Sequence, residues 1–237
     1  MSNLFTIGYA NKSIDDFIKI LKLNNINCIV DVRTMPFSKQ FPDYNEYNLS
    51  KLLKESKISY LSFKNEFGAR RSESEVYQKI DLYDDSNIDV VVFEKVYALD
   101  IFKNGYNRVT KGLEKGYNIA FLCSEKYAYD CHRCIMVAEY FYRNGYEINH
   151  IVDDKNTIMH KDIEKYLEDY FKDAKSKFVK LHANELQELT YGGGLFQAQV
   201  SNHIIYWNDF FAKYTREKGF YLRNLEIGYK KGNEEND

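Results

Sequence analysis

Strand-like and helix-like patterns alternate along the first two thirds of the chain, and this order restricts the fold more than any other feature. Apolar, β-branched runs predict strands at 4–8, 26–32, 58–63, 118–123 and 147–152. Amphipathic spacing predicts helices that begin after Ser13 and that span 48–56, 90–113 and 131–142. Strands separated by helices are normally joined by right-handed crossovers into a parallel sheet. The sequence therefore predicts an α/β fold: a three-layer, Rossmann-like, mostly parallel sheet with helices on both faces.

The character of the sequence changes after residue 155. A charged stretch at 161–180 is typical of a solvated helix. Three successive glycines at 192–194 favour a turn, because their backbone entropy is too high for a regular element. We expect a core domain over residues 1–155 and a helical or irregular C-terminal extension over 156–237 that packs on the core.

Composition narrows the setting in which the protein works. The longest apolar runs fall short of the ~20 residues that a membrane-spanning helix requires, so we expect no membrane partner. Four cysteines among 237 residues are too few for a disulfide framework, which favours a reducing compartment and a cytoplasmic protein. A net charge of −2 gives no sign of a general polyanion binder, although it is compatible with a local basic patch and therefore with nucleic acid.

Polar and reactive side chains follow the predicted strands. Because the carboxyl ends of parallel strands share one edge of the sheet, side chains far apart in the sequence are expected to meet there. The predicted set comprises Gly8, Tyr9, Asn11, Asp31, Arg33, Ser38, Cys123, Glu125, Cys131, His132 and Arg133. His150 also follows a strand and is expected at this edge, whereas His160, His182 and His203 fall in segments predicted to be exposed. Thiols, carboxylates, an imidazole and guanidinium groups in one place are the side chains of which active sites are made.

The densest part of this set is the segment 119–134, IAFLCSEKYAYDCHRC. It ends a predicted strand and begins a predicted helix, where the helix dipole is expected to lower the pKa of the Cys131 thiol. At the same position Arg133 is suited to bind a phosphate or carboxylate through its planar fork. In the alternative interpretation Asp130 caps the helix, and His132 and Arg133 form ordinary surface hydrogen bonds. Both interpretations remain open from these residues alone.

Two carboxylates near this segment are candidates for chemistry. Glu125 follows an apolar strand, so we expect partial burial to raise its pKa and to suit it to acid–base catalysis or ribose binding. A salt bridge with Arg33 or Arg133 is its alternative role. Asp31 and Arg33 flank Val32 and so share one face of a strand, where a mutual ion pair is as compatible with the pattern as contact with substrate.

Two loops add aromatic, hydroxyl and cationic side chains beside the same edge. They contain Ser38, Phe41 and Tyr44 in the first loop and Phe67, Arg70 and Arg71 in the second. Sites that stack nucleic-acid bases use aromatic and cationic groups, whereas anchoring of the loops is the more common role of such residues.

Zinc is a second interpretation of the same cluster. Cys123, Cys131, His132 and Cys134 are ligands of the types that zinc prefers. The spacing argues against it, because adjacent Cys131 and His132 project about 100° apart on a regular helix and no second pair with metal-binding spacing is present. Zinc is therefore kept as a minor alternative, and no other cofactor is predicted.

The ordered set of short motifs resembles the DUF488 family, small bacterial and archaeal proteins described as uncharacterised. The resemblance is carried by Thr6-Ile-Gly-Tyr-Ala-Asn11, Asp31-Val-Arg33, Pro36-x-Ser38, Tyr60, Phe67-Gly68, Leu122-Cys-x-Glu125, Cys131-His-Arg133 and His150-Ile151. It covers roughly residues 4–152. The resemblance implies that these positions belong together, and it implies no particular activity.

The leading hypothesis from the sequence is a cytoplasmic hydrolase or transferase that acts on a nucleotide, a nucleoside or a nucleic-acid component. Arg33 and Arg133 would hold the anionic part of this substrate, Glu125 would act as acid, base or electrostatic stabiliser, and Cys123 or Cys131 would be the nucleophile.

Two alternatives belong to other functional classes. The first is a non-catalytic adaptor for nucleic acid or protein, in which the tyrosine-rich C-terminal region provides the contact surface. The second is a zinc-dependent hydrolase or a structural zinc protein.

Overall fold

The computed structural model describes residues 3–81, 87–128 and 131–163. Contacts divide the chain into two units, of which the larger contains the described residues of 3–71 and 97–160. The smaller unit contains the described residues of 72–96 together with 161–163. The C-terminal extension, with His182 and His203, lies almost entirely outside the described residues, so the domain boundary at 155 stays a prediction. In the described part of the chain no helix is long and apolar enough to cross a membrane.

Eight strands are present in the described residues. They are β1 (Leu4–Gly8), β2 (Cys28–Asp31), β3 (Ser59–Ser62), β4 (Tyr77–Asp81), β5 (Asn87–Val91), β6 (Ile119–Cys123), β7 (Ile148–Ile151) and β8 (Thr157–Met159). Six of them form one sheet of the larger unit, in the order β3-β2-β6-β1-β7-β8. All neighbours in this sheet are parallel except β8, which runs antiparallel to β7. The predicted, mostly parallel α/β sheet is confirmed.

Six α-helices connect the strands. They are α1 (Ile14–Leu23), α2 (Glu46–Glu55), α3 (Lys64–Phe67), α4 (Phe93–Ala98), α5 (Asp100–Glu114) and α6 (Glu139–Arg143). A π-helix at Arg133–Ala138 directly precedes α6. The predicted helix over 131–142 is thus present from residue 132 onward, but its first turns are wider than those of a regular α-helix.

The first helix begins where its sequence predicts. The Ser13 side chain accepts a hydrogen bond from the backbone N–H of Asp16, which satisfies one of the unpaired donors of the first turn. Phe17, Ile20 and Leu21 form the buried face of the helix. This cap and this apolar face hold α1 directly after β1, so the turn between them lies at the carboxyl end of the sheet.

Helices cover both faces of the sheet. On one face, α1 and α2 pack on inward side chains of β1, β2 and β6, in a cluster that includes Phe5, Ile7, Phe17, Ile29, Leu49, Leu53 and Leu122. On the other face, Phe121 of β6 contacts the rings of Phe67 in α3 and Phe141 in α6, and Phe67 in turn contacts Phe102 in α5. Leu122 and Phe121, which are adjacent in β6, face opposite sides of the sheet because side chains alternate along a strand.

In the smaller unit, β4 and β5 form an antiparallel pair in which Tyr77 lies opposite Val91. Val90 belongs to this pair, although the sequence pattern placed it in a helix. The β-branched run at 90–92 favours a strand once a partner strand is available, and the helical region begins after it, at α4.

Candidate functional site

The carboxyl ends of the central strands are joined by backbone hydrogen bonds. The N–H groups of Tyr9 and Ala10 donate to the carbonyls of Cys123 and Ser124, at 3.2 and 2.9 Å. The N–H of Val32 donates to the carbonyl of Leu122 at 3.0 Å. The segments that follow β1, β2 and β6 therefore meet at one edge of the sheet, as the sequence predicted.

Gly8 is required for this close approach. A Cβ atom at position 8 would lie 1.7 Å from the carbonyl oxygen of Glu125 and 3.1 Å from an Nη atom of Arg133. Both distances are shorter than van der Waals contact, so any side chain at this position would displace the loop that follows β6. The role of Gly8 is to admit the Glu125 backbone to the end of β1.

Arg133 binds the backbone of the loop that follows β6. Its guanidinium is fully buried and donates to the carbonyls of Glu125 at 2.9 Å and Lys126 at 3.2 Å. Burial alone would lower the pKa of Arg133, but the nearby acidic groups Cys131, Cys123 and Glu125 outweigh it, and the pKa is raised. These hydrogen bonds position the loop, so a direct contact between Arg133 and a substrate anion stays a prediction.

His132 connects the π-helix segment to β2 and to two thiols. Its Nε2 lies 3.0 Å from the carbonyl oxygen of Val32. A carbonyl only accepts hydrogen bonds, so Nε2 carries a proton and Nδ1 is the variable nitrogen. Nδ1 lies 3.9 Å from the Cys123 sulfur and 3.8 Å from the Cys131 sulfur. The imidazole is thus fixed by the backbone at one nitrogen and faces both sulfur atoms with the other.

Glu125 is ionised in this environment, contrary to the expectation of a raised pKa. Burial would raise its pKa, but hydrogen bonds from the Cys123 and Cys131 thiols and the charge of His132 lower it to about 2. The Cys131 sulfur donates to Glu125 Oε2 at 3.0 Å. A carboxylate that already accepts thiol hydrogen bonds is poorly suited to act as a general acid at neutral pH.

The thiol of Cys131 also differs from its expected state. Its pKa lies well above the ordinary value, because full burial, the hydrogen-bonded Cys123 thiol and the Glu125 charge all disfavour the thiolate. By contrast, the pKa of buried His132 is raised, since Cys131 and Glu125 stabilise the imidazolium more than burial destabilises it.

Asp31 and Arg33 form the ion pair that was one of their two predicted roles. Arg33 donates to the Asp31 carboxylate through Nε at 2.9 Å and through Nη2 at 2.5 Å, and the Tyr60 hydroxyl donates to the same carboxylate at 2.6 Å. The guanidinium carbon lies 5.2 Å from the centre of the Tyr9 ring. The Nη1 atom of Arg33 is buried and has no hydrogen-bond partner among the described residues. This nitrogen is an unsatisfied buried donor in the described part of the chain.

The predicted residues of the neighbouring loops have mostly structural contacts. Tyr9 stacks on Tyr44 at 4.2 Å between ring centres, and the Ser38 hydroxyl accepts from the N–H of Phe41 within its own loop. Asn11 adopts a left-handed backbone with φ of 62° in the turn before α1. Arg71 is buried against backbone carbonyls at 65–68. Tyr9 also contacts Arg33 through its ring.

Two lysines at this edge, Lys12 and Lys126, were not among the predicted site residues. The pKa of Lys12 is lowered by burial and by the positive charges of Arg133 and Lys126. Lys12 and Lys126 are both half-buried. Each lies shortly after a predicted strand, Lys12 after β1 and Lys126 after β6, and this position was the signal that identified the other edge residues. The edge therefore brings Lys12, Lys126 and Arg133 together, with Asp153 as an acidic group that acts on Lys12.

His160 is buried, although its segment was predicted to be exposed. Its side chain is 1% exposed, with Nδ1 2.9 Å from His150 Nε2 and Nε2 2.9 Å from Glu139 Oε2. The cause is β8, which pairs with β7 and returns the chain to the sheet. Cys134 lies beside this histidine pair, so it does not join Cys123, Cys131 and His132.

Two groups of described residues have donor atoms close enough to hold a metal ion. The first is Cys123, Cys131 and His132, and the second is Cys134, His150 and His160. Within each group the donor atoms lie within 4.8 Å of one another. The spacing argument against zinc assumed a regular helix from Cys131. Cys131 precedes the helical turns, so its sulfur lies only 3.8 Å from Nδ1 of His132 and the two side chains do not diverge.

Comparison with known proteins gives one match. Residues 13–141 match the family model described as Domain of unknown function DUF488. No curated protein and no solved structure matches the chain.

Proposed function

The chain belongs to the DUF488 family, and we propose that it is an enzyme that acts on a nucleotide, a nucleoside or a nucleic-acid component at the carboxyl edge of its parallel sheet. One observation carries the proposal. His132 is anchored to the carbonyl of Val32 through Nε2, while its Nδ1 faces the thiols of Cys123 and Cys131. An imidazole that is oriented at one nitrogen and faces a thiol with the other is the arrangement that activates cysteine nucleophiles.

The two thiols have different roles in this proposal. Cys131 keeps its proton, because full burial raises its pKa well above the ordinary value. Cys123, whose sulfur lies 3.9 Å from His132 Nδ1, is the nucleophile. Its thiol gives its proton to His132 Nδ1 as the sulfur bonds to the electrophilic atom of the substrate, and the leaving group receives that proton from His132. Water or a second substrate then displaces the sulfur, which makes the enzyme a hydrolase or a transferase.

Glu125 acts as an electrostatic stabiliser. Its carboxylate, with a pKa of about 2, stays negative throughout the neutral range and favours the imidazolium that forms when His132 accepts a proton. Arg133 is a positioning residue, since it holds the backbone carbonyls of Glu125 and Lys126.

The charge at this edge supports an anionic substrate. Lys12 and Lys126 lie near buried Arg133, and their mutual repulsion is relieved when an anion binds between them. The Nη1 atom of Arg33 is a further buried donor without a partner among the described residues. A phosphate group satisfies both requirements, because it accepts several hydrogen bonds and carries negative charge.

Two exposed aromatic rings support a nucleoside attached to that phosphate. Phe37, on the loop after β2, is 63% exposed, and Tyr127, on the loop after β6, is 40% exposed. Lys126 lies over the ring of Tyr127 at 4.8 Å. Bases stack on such rings, and each stacked base contributes about 1–3 kcal/mol to binding.

A binding screen with matched lysine variants tests the proposal. Nucleoside phosphates and short oligonucleotides are titrated against the wild type, Lys126→Gln and Lys22→Gln, in which Lys22 is exposed in the last turn of α1. We expect one class to bind the wild type and Lys22→Gln alike and to bind Lys126→Gln at least about tenfold more weakly. With that ligand, Cys123→Ser should keep binding and lose turnover. The proposal is wrong if no such ligand binds or if both lysine variants bind equally.

A zinc-dependent hydrolase is the second candidate function. The observation that favours it is the group Cys123, Cys131 and His132, with Glu125 Oε2 only 3.0 Å from the Cys131 sulfur. Two thiolates and one imidazole are three donors of the types that zinc accepts, and they leave the fourth position to the water that a catalytic zinc activates. Metal analysis of the wild type and two variants distinguishes the two functions. A lower zinc content in Cys123→Ser than in the wild type, with no loss in Cys28→Ser, supports the metal enzyme. Equal zinc contents in Cys123→Ser and the wild type contradict it.

A further inference from the structure

We propose that Cys134, His150 and His160 form a binding site for a divalent transition-metal ion, separate from the group Cys123, Cys131 and His132. The three donors come from three parts of the chain: the π-helix, β7 and the turn after β8. All three side chains are 1% exposed or less. Nothing in the proposed reaction uses them, so the inference is independent of that function.

The distances between the donor atoms are close to those of a tetrahedral site. The Cys134 sulfur lies 3.7 Å from His150 Nε2 and 3.9 Å from His160 Nδ1, and the two nitrogens are 2.9 Å apart. With metal–sulfur bonds of about 2.3 Å and metal–nitrogen bonds of about 2.0–2.1 Å, tetrahedral angles require sulfur–nitrogen distances of about 3.5 Å and a nitrogen–nitrogen distance of about 3.3 Å. Movements of a few tenths of an ångström bring the donors to these values, so each side chain can stay in its own rotamer.

Each histidine is held by a partner at its other ring nitrogen. The Thr6 hydroxyl lies 2.8 Å from His150 Nδ1, and Glu139 Oε2 lies 2.9 Å from His160 Nε2. Glu139 is itself held by Arg143, whose Nε donates at 2.9 Å. Metal-binding histidines almost always have such a partner, which fixes the ring and directs the free nitrogen to the metal. The pair Glu139 and His160 is a carboxylate–histidine arrangement of this kind.

The π-helix places two of these groups on the same side. In a π-helix the backbone hydrogen bonds join residues five apart, so Cys134 and Glu139, the first residue of α6, project to the same side. They contact opposite sides of the His160 ring, the sulfur near Nδ1 and the carboxylate at Nε2. In a regular α-helix, residues five apart diverge by about 140°, so the two side chains would not both reach His160. The π-helical turn therefore allows both Cys134 and Glu139 to contact His160.

The donor set selects the type of metal. One thiolate and two imidazoles suit zinc, cobalt or iron in the divalent state and do not suit magnesium or calcium, which prefer oxygen. Without metal, the polar atoms form a chain of hydrogen bonds: Thr6 to His150, His150 to His160, and His160 to Glu139. When metal binds, the His150 proton moves from Nε2 to Nδ1 and Thr6 becomes its acceptor, while the Cys134 proton leaves. One proton is therefore released for each metal ion.

Cobalt binding tests this site without interference from the first group. In a Cys123→Ser, Cys131→Ser double variant, we expect one Co²⁺ per chain with a thiolate-to-cobalt charge-transfer band. Adding Cys134→Ser or His160→Gln should abolish the band, and adding Cys28→Ser, which removes a buried thiol outside both groups, should keep it. Thr6→Val and Glu139→Gln keep all three donors and should weaken binding by about 10- to 100-fold.

The wild type provides a test that needs no substitution. Chelation with EDTA should lower its Tm, and added Zn²⁺ should restore the Tm with release of protons to a weak buffer. A Tm that responds to neither treatment contradicts the proposal. It is equally contradicted if Cys134→Ser, folded as judged by circular dichroism, binds as much Co²⁺ as the wild type does.

Discussion

The imidazole of His132 donates through Nε2 to the carbonyl oxygen of Val32, a residue 100 positions earlier in the chain, at 3.0 Å. Both groups are buried. The bond joins the segment that follows β6 to the end of β2 and determines which nitrogen of the ring faces the thiols. The orientation of the proposed base thus depends on the backbone of a neighbouring strand.

His132→Leu should lower the free energy of unfolding by about 1–3 kcal/mol, because the buried carbonyl of Val32 loses its donor. His132→Gln provides an N–H at nearly the position of Nε2 and should recover part of this loss. Urea unfolding of the two variants measures the difference. Equal stability of the two would show that the bond to Val32 contributes nothing.

Arg133→Met should destabilise the protein by about 2–4 kcal/mol, because two part-buried carbonyls, of Glu125 and Lys126, lose their donor from a fully buried guanidinium. Arg70→Met is the control, since Arg70 is exposed and its loss should change stability by no more than about 0.5 kcal/mol. Thermal and urea unfolding measure both variants. A loss for Arg133→Met no larger than for Arg70→Met would refute the positioning role.

Gly8→Ala should be strongly destabilising, by about 3 kcal/mol or more, because the new Cβ would lie 1.7 Å from the backbone oxygen of Glu125. Gly112→Ala in α5 is the matched control. Its Cβ would lie 3.0 Å from the flexible end of Ile119, and alanine favours a helix by about 1 kcal/mol over glycine. Circular dichroism melts compare the two. Similar Tm values would show that the loop yields easily at position 8.

The strands and their common edge were predictable because they depend on local pattern. Runs such as 119–123 have no alternation, as expected for strands covered on both faces, and the cap at Ser13 is a short-range signal. The burial of His160 was not predictable in this way. It depends on the pairing of β8 with β7, and the three residues of β8 are too few to give a periodic signal.

The protonation states at the site were wrong for a related reason. Burial of Glu125 and the helix dipole at Cys131 were treated as separate local effects. In the folded protein the thiols donate to the carboxylate, which lowers the pKa of Glu125. Full burial, followed by the contacts with Cys123 and Glu125, raises the pKa of Cys131. Side-chain contacts between Glu125 and Cys131, which are six positions apart and do not share a helix or strand, cannot be derived from spacing.

Glu125 should stabilise the protein at neutral pH and lose this effect in acid. Its pKa is lowered from an ordinary value of 4.5 to about 2 in the folded state, so the unfolded chain binds the proton more tightly. The stabilisation is complete above about pH 4.5 and is lost as the pH falls toward 2, with a full size of about 3 kcal/mol.

Glu125→Gln has no such group, and its unfolding free energy should fall less over this range than that of the wild type. Glu55→Gln, which removes an exposed carboxylate of α2, should follow the wild type. Urea unfolding between pH 5 and pH 2 measures the three proteins, and parallel curves for the wild type and Glu125→Gln would mean that the thiol hydrogen bonds do not hold the Glu125 carboxylate in its charged form.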